Sequence, residues 1–248
     1  MGVLDFAGGT VVHMSAGWAA LAGAIFLGKR KVQKVNPARI TYVLLGTGLL
    51  WFGWFGFNGG SALAANGDAG MAMLVTHISA ATGACTWMLL ERIKYGKASA
   101  LGAVTGMVAG LGTITPASGF VGPGGALIIG LCAGYVCFYA TGYIKRTLRI
   151  DDSLDVFPVH GVGGILGTLL TGVFASNALG VFGGQEEISI SAQVQIQLIG
   201  IVSAIVYTAI VTFLILKLTE VLVGNRVDEE DEQEGLDLVA HNERGYDL

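Results

Sequence analysis

Two histidines occupy matching positions in the sequence, and each could take part in proton exchange. Asp5 precedes His13 by eight residues, and Asp152 precedes His160 by the same interval. A glycine follows each histidine four residues later. A neutral imidazole carries one donor and one acceptor nitrogen and titrates near neutral pH, so two rings in contact could share a proton. The simpler alternative is two unrelated structural histidines.

The apolar runs around these histidines indicate how they are positioned. From Phe6 to Gly28 the chain has no charged side chain other than His13, and about 20 such residues cross a bilayer. Eight helical residues rise roughly 12 Å, close to the ~15 Å half-thickness of the hydrocarbon core. Because the two runs enter from opposite faces, we expect both histidines near the midplane, as in transporters with inverted repeats. An ionisable residue there is a candidate functional residue.

An aromatic stretch at residues 51–61 is a second candidate site. Trp54, Phe57 and Ser61 stand at positions i, i+3 and i+7, which share one face of a helix. Aromatic faces attract cations, and a serine hydroxyl beyond them can accept a hydrogen bond from a small cation. An aromatic belt at the membrane surface is the alternative.

Three further polar residues have predictable structural roles. Asp5 precedes the first apolar run, so we expect its carboxylate to cap a helix, although it could also bind a cation directly. Asp155 precedes a proline by three residues and therefore indicates the start of a helix. His77 lies beside Thr76 and Ser79, which could satisfy it as a structural histidine.

The composition predicts an all-α, polytopic membrane protein. The 248 residues are 53% hydrophobic and 13% charged, whereas soluble domains carry about 25% charge. Backbone polar groups must be satisfied within each segment in lipid, and no alternating strand pattern suggests a barrel. We predict seven transmembrane helices, at residues 6–28, 40–58, 70–90, 98–114, 124–144, 155–176 and 189–223.

The basic residues predict the orientation in a cell membrane. All 14 lysines and arginines fall on one face of this topology, which the positive-inside rule makes cytoplasmic. On the opposite face, the charged residues of the loops are all acidic; they are Asp5, Asp68, Glu186 and Glu187. We expect a transmembrane domain over residues 1–224 and a cytoplasmic C-terminal tail over residues 225–248, whose acidic run at 228–234 favours a solvated segment.

Other motifs favour packing rather than chemistry. GxxxG spacing at Gly102, Gly106 and Gly110, and again at Gly130 and Gly134, predicts close helix contacts. The three cysteines lie in apolar runs without a CxxC motif and are expected to be small buried residues; they are Cys85, Cys132 and Cys137. No metal or cofactor site is predicted, and no nucleophile and base stand at a spacing that suggests an enzyme.

Five ordered motifs resemble those of the ammonium transporter family, over essentially the whole chain. They are Asp5-Phe6-Ala7-Gly8-Gly9 with His13, the stretch from Gly53 to Asn58, Thr115-Pro116-Ala117-Ser118-Gly119, Asp155-Val156-Phe157 with His160, and Gly235-Leu236-Asp237. The resemblance implies a homotrimer of eleven-helix subunits, each with its own pore. It implies paired pore histidines at His13 and His160, a gating ring at Phe57 and a pore-side ring at Trp54. It also implies ammonium recruitment by Ser61 and Asp5, and a tail that meets the nitrogen-regulatory PII protein.

The resemblance begins only at the fifth helix of that family, so we expect a fragment that does not form a working pore alone. The tail also carries Asn242 where the family usually has glycine. Ammonium transport by the complete protein is the leading hypothesis. Two alternatives are an ammonium sensor that signals through the tail, and a haem-binding electron carrier with His13 and His160 as axial ligands.

Overall fold

The computed structural model describes residues 2–31, 39–176, 179 and 189–243, and this part of the chain is built of helices. Seven of these helices are long and apolar enough to cross a membrane. They are α1 (Gly9–Leu27), α2 (Ile40–Gly60), α3 (Gly67–Tyr95), α4 (Ala100–Ala117), α5 (Pro123–Leu148), α6 (Phe157–Phe174) and α7 (Ile190–Leu222). The predicted spans are therefore confirmed, with small shifts at their ends.

Helix α4 forms the centre of the bundle, and glycines bring its backbone close to α3. A Cβ atom on Gly106 would lie 2.6 Å from the Gly83 carbonyl oxygen, and one on Gly110 would lie 2.3 Å from the Ser79 oxygen. On α5, a Cβ on Gly130 would lie 2.6 Å from that same Ser79 oxygen. Contacts this short exclude any side chain, so the predicted role of the GxxxG motifs is confirmed at these positions.

Helices α1 and α6 cross at the glycines that follow the two histidines. A Cβ on Gly17 would lie 2.2 Å from the Gly161 backbone nitrogen. A Cβ on Gly164 would lie 2.9 Å from the Gly9 oxygen and 2.9 Å from Met14 Cγ. The matched glycines in the sequence therefore let the two histidine-bearing helices pack backbone against backbone.

The charged side chains converge at one end of the bundle, called here the basic end. Arg30, just after α1, forms an ion pair with Asp151, just before α6. Arg226, after α7, donates to the carbonyl oxygens of Leu27 and Lys29 at 2.8 and 2.9 Å. These contacts connect the ends of α1, α6 and α7.

The acidic tail is more ordered than its composition predicted. It forms two short helices, α8 (Glu229–Glu234) and α9 (Leu236–His241). Glu232 pairs with Arg226 at 2.8 Å, and Glu229 lies 3.4 Å from the Lys31 ammonium group. Most of the run stays exposed, as the composition predicted. Two ion pairs in addition connect it to basic side chains that follow α1 and α7.

The cysteine prediction holds for only part of the set. Cys137 is buried and Cys132 is half-buried, but Cys85 is exposed on the surface of this chain. The prediction that all three are buried is therefore wrong for Cys85. Two acids of the predicted opposite face, Glu186 and Glu187, lie outside the described residues.

Candidate functional site

The two sequence-matched histidines meet inside the bundle. The Nδ1 atoms of His13 and His160 are 3.1 Å apart, which is a hydrogen-bond distance. Their rings are stacked with centroids 5.2 Å apart and planes inclined by 22°. His13 is 4% exposed, and His160 is half-buried. The structure thus brings the pair together.

A carboxylate fixes the start of the first histidine helix. Asp5 accepts hydrogen bonds from the backbone N–H groups of Gly8, Gly9 and Thr10 at 3.1, 2.6 and 2.9 Å. The helix then opens with a π-helical turn, Gly9–Met14, which contains His13. A helix start leaves N–H groups without partners, so the acid satisfies them and opposes the positive end of the helix dipole. The predicted capping role of Asp5 agrees with this geometry.

The second histidine helix uses the same arrangement with Asp152. Its carboxylate accepts from the N–H groups of Val156 and Phe157 at 3.0 and 2.7 Å. A π-helical turn, Phe157–Val162, follows and contains His160. Asp152 stands at the same spacing from its histidine as Asp5, which is the sequence signal that could have assigned its role. π-Helical turns occur often at functional sites.

Asp155 lies where the sequence placed a helix start, but its carboxylate does not cap the helix. Its carbonyl oxygen accepts from Val159 N–H at 3.0 Å, as expected of the residue preceding a helix. Its side chain instead lies 2.7 Å from the ammonium group of Lys145. Burial raises the pKa of the Asp155 carboxyl, and the neighbouring Lys145 opposes that rise. Capping by the side chain belongs to Asp152.

Residues of α2 and α4 surround His13. The Trp54 ring stacks on His13 with centroids 5.1 Å apart, and Phe57 meets it edge-on at 6.1 Å. The Trp54 indole N–H donates to Thr115 Oγ1 at 3.0 Å, and His13 Nε2 lies 3.3 Å from that same oxygen. Thr115 is fully buried. Sequence reasoning included Thr115 in a family motif but gave it no role.

An open cavity of about 380 Å³ borders His13 on the α2 side. Its wall is almost wholly apolar and includes Val12, His13, Leu49, Leu50, Gly53, Trp54 and Phe57. Trp54 and Phe57 therefore share one face of α2, as predicted. Ser61 follows the last residue of α2, and its hydroxyl donates to the Phe57 carbonyl oxygen at 2.8 Å.

His77 does not have the hydrogen bonds that the sequence suggested. Thr76 donates to the Ala72 carbonyl and Ser79 to the Gly110 carbonyl, at 2.6 and 2.9 Å. His77 is exposed on this chain, and its ring stacks on Trp51 with centroids 5.1 Å apart. The predicted partners of His77 are therefore wrong, because its ring lies on an exposed face against Trp51 and Phe55 and not against either hydroxyl.

The contact between the two histidines argues against the haem hypothesis. Their nearest nitrogens are 3.1 Å apart, so a porphyrin has no space between the rings. In the described part of the chain, no cluster of three or more histidine, cysteine or carboxylate side chains is arranged to hold a metal ion. The arrangement instead suits proton sharing between the rings beside an apolar cavity.

Comparison with known proteins identifies ammonium transporters as relatives of this chain. Residues 1–246 match the family model of the Ammonium Transporter Family. The chain is 46% identical to an ammonium transporter of Aquifex aeolicus, covering 100% of this chain and 58% of that protein. It is also 46% identical to the ammonium transporter Amt1 of Archaeoglobus fulgidus, covering 99% of this chain and 63% of that protein.

Solved structures show the same likeness. A protein described as a sensor Amt protein superposes with a TM-score of 0.88 at 35% identity, over 97% of this chain and 60% of that chain. Saccharomyces cerevisiae Mep2 superposes with a TM-score of 0.80 at 38% identity, over 92% of this chain and 56% of that one. The chain thus spans about three fifths of the length of these relatives.

Proposed function

Because the chain belongs to the ammonium transporter family, whose members are membrane transporters and not enzymes, we propose that it supplies the histidine-lined part of an ammonium-conducting pore. The observation that carries this proposal is the 3.1 Å contact between His13 Nδ1 and His160 Nδ1 beside an apolar cavity. The likeness to ammonium transporters over the whole chain supports the same conclusion.

Recruitment of ammonium begins at the end of α2 opposite the basic end. The rings of Trp54 and Phe57 pack edge to face beside the cavity, with their centroids 5.9 Å apart. Ring faces stabilise a cation by about 0.5–2 kcal/mol, more as it loses water. The Ser61 hydroxyl uses its hydrogen on Phe57, so its oxygen can accept a hydrogen bond from ammonium. Asp5 acts indirectly, as a negative charge held at the start of α1.

The apolar wall of the cavity favours passage of neutral ammonia over charged ammonium. The cavity wall offers few polar groups besides His13, and an unpaired charge in an apolar, low-dielectric region is costly. Ammonium therefore transfers its proton to an unprotonated imidazole nitrogen of the histidine pair, which becomes positively charged, and neutral ammonia moves along the apolar wall. The histidine pair offers hydrogen-bonding nitrogens at the narrow crossing of α1 and α6 and is positioned to handle a proton there.

Flux measurements test this proposal. The chain would be fused behind the unmatched part of the Aquifex aeolicus relative, reconstituted in liposomes and given an inward ammonium gradient. We expect flux from the fusion, and a changed rate or cation selectivity after His160→Ala. His77→Ala is the matched control, since it removes an intramembrane histidine that lies outside the pair.

Two results would count against the proposal. One is an unchanged rate and selectivity in the His160→Ala fusion that is correctly folded. The other is a fusion that folds but conducts no ammonium. Flux from the 248-residue chain by itself would show that the expected dependence on further helices is wrong, while leaving the role of the pair intact.

The assembly and orientation are part of the same proposal. The family resemblance supports a homotrimer, and the positive-inside rule supports a cytoplasmic basic end and tail. The tail is proposed to contact a PII protein. Asn242 adopts a left-handed conformation with φ of 52°, which asparagine tolerates better than most residues. The exchange of the usual glycine for Asn242 therefore preserves the local backbone.

An ammonium sensor remains the second hypothesis, motivated by the ion pairs that dock the tail on the basic end. A sensor would bind a tail partner in response to ammonium without net flux. Liposome flux and pull-down with the tail partner, made on the same preparation, separate the two functions.

A further inference from the structure

Thr115 is the buried residue that connects His13 to α2 and α4, and the proposed transport function gives it no task. We propose that Thr115 fixes the tautomers of both histidines, placing the proton of His13 on Nε2 and that of His160 on Nδ1. This inference rests on the proposed function only for its consequence in transport, because the tautomers themselves follow from hydrogen-bond geometry.

The hydroxyl of Thr115 has a single hydrogen, and the structure shows where it goes. Oγ1 donates to the carbonyl oxygen of Leu111 at 2.8 Å. A carbonyl can only accept, so this bond uses the hydrogen. The Trp54 indole N–H, which can only donate, occupies one lone pair of Oγ1 at 3.0 Å. One lone pair of the hydroxyl oxygen is then left for a further donor.

His13 supplies that donor. Its Nε2 lies 3.3 Å from Thr115 Oγ1, and an Nε2 without hydrogen would face an oxygen whose only hydrogen is already used. Nε2 therefore carries the proton of neutral His13. A neutral imidazole has one N–H, so His13 Nδ1 is an acceptor.

The tautomer of His160 follows from that of His13. The two Nδ1 atoms are 3.1 Å apart, and two acceptors at this distance would repel. His160 Nδ1 therefore donates its N–H to His13 Nδ1, which leaves His160 Nε2 without hydrogen. No described residue bonds to that Nε2, so His160 holds the free lone pair of the couple. His160, and not His13, is the ring that can accept a hydrogen from a passing donor.

The direct test is nitrogen-15 NMR of the whole chain in lipid nanodiscs, with labelled histidine and at a pH where the rings are neutral. Protonated and unprotonated ring nitrogens give well-separated signals. Single substitutions His13→Gln, His160→Gln, His77→Gln and His241→Gln assign them. We expect Nε2–H for His13 and Nδ1–H for His160 in the unmodified chain. The opposite pair of tautomers would overturn the inference without any further variant.

Variants at Thr115 then test whether its hydroxyl sets the tautomers of the two histidines. Thr115→Val removes the hydroxyl at nearly constant volume, and we expect the single tautomer of each ring to give way to a mixture. Thr115→Ser should restore the original signals. Thr113→Val is the control, because it removes a fully buried hydroxyl that has no hydrogen bond among the described residues. Unchanged tautomers in folded Thr115→Val protein would refute the role of Thr115.

These measurements are independent of conduction. Absence of flux with the expected tautomers would refute the proposed function and leave this inference standing. Flux with the wrong tautomers would do the reverse.

Discussion

Helices α1 and α6 start in the same way and then meet different neighbours. Each begins with an aspartate that binds backbone N–H groups, a π-helical turn and a histidine within that turn. His13 then contacts Thr115, Trp54 and Phe57 from α4 and α2. The imidazole ring of His160 has a hydrogen bond to His13 alone among the described residues.

This comparison shows that the same local helix start can place two histidine rings whose nitrogens have different hydrogen-bond partners. The aspartate and the π-helical turn set where each histidine lies along its helix. The neighbouring helices decide which nitrogens are occupied, because hydrogen-bond partners come from α2 and α4 and not from the repeat itself. Residues that stand at equivalent sequence positions thereby acquire different chemistry.

Forcing the two helices apart should have the largest effect. In Gly17→Ala the new Cβ would lie 2.2 Å from the backbone nitrogen of Gly161, and backbone cannot move aside as a side chain can. We expect a loss of about 3 kcal/mol or more in unfolding free energy, at the upper end of overpacking costs. Unfolding by SDS titration in mixed micelles would measure it.

The same experiment on other glycines sharpens the comparison. Gly164→Ala should cost less, since one of its short contacts is to the flexible Met14 side chain at 2.9 Å. Gly23→Ala, in α1 with no atom within 4 Å of its new Cβ, should be neutral or stabilising by roughly 0.5–1 kcal/mol. Equal losses at Gly17 and Gly23 would show that the crossing does not require the glycine.

Removing the two caps should have an intermediate effect, unequal between the helices. Asp5 has hydrogen bonds to four backbone N–H groups, including Val11 at 3.4 Å, and Asp152 to two. Loss of a cap costs about 0.5–2 kcal/mol, so we expect Asp5→Ala near the upper limit and Asp152→Ala near 1 kcal/mol. SDS unfolding of both variants and of Asp68→Ala, an exposed acid on α3, would test the order. A larger loss for Asp152→Ala would contradict it.

The ion pair beside α6, which α1 lacks at its own start, should have the smallest effect. The Arg30 guanidinium lowers the pKa of the Asp151 carboxyl to about 2, whereas in an unfolded chain it is near 4. The stabilisation is therefore complete above pH ~4 and is lost as the pH falls toward ~2. Since the pair is partly exposed, we expect Asp151→Asn to cost about 1 kcal/mol or less at neutral pH.

The pH dependence of the folded fraction distinguishes loss of this ion pair from the destabilisation that acid causes at other carboxylates. Folded fraction measured by circular dichroism at fixed SDS should converge for the unmodified and Asp151→Asn proteins as the pH approaches ~2. Glu243→Gln, which removes an exposed tail carboxylate, is the control. A difference between the two proteins that persists at that pH would contradict the assignment.

Much of the fold was predictable because its signals are local. Apolar run length located the helices, and α3 exceeded its predicted C-terminal limit only because its last turn carries charged residues at the membrane surface. Repeated spacing identified the pair of histidines. That the glycine four residues after each one lies where α1 and α6 cross came from the structure. The expected partners of His77 and the expected burial of Cys85 were wrong, since both depend on which neighbouring helix or side chain faces the residue. Asp155 does mark the start of α6, but its side chain pairs with Lys145.

The sequence by itself therefore determined the membrane class, the helix positions and the residues with chemical potential, since these depend on composition and periodicity along one chain. The tertiary structure alone decided that Thr115 and Trp54 meet at His13, that Asp152 and not Asp155 caps α6, and that the acidic tail binds the basic end. Such contacts join residues far apart in the chain, and their geometry is set by how the helices pack against one another.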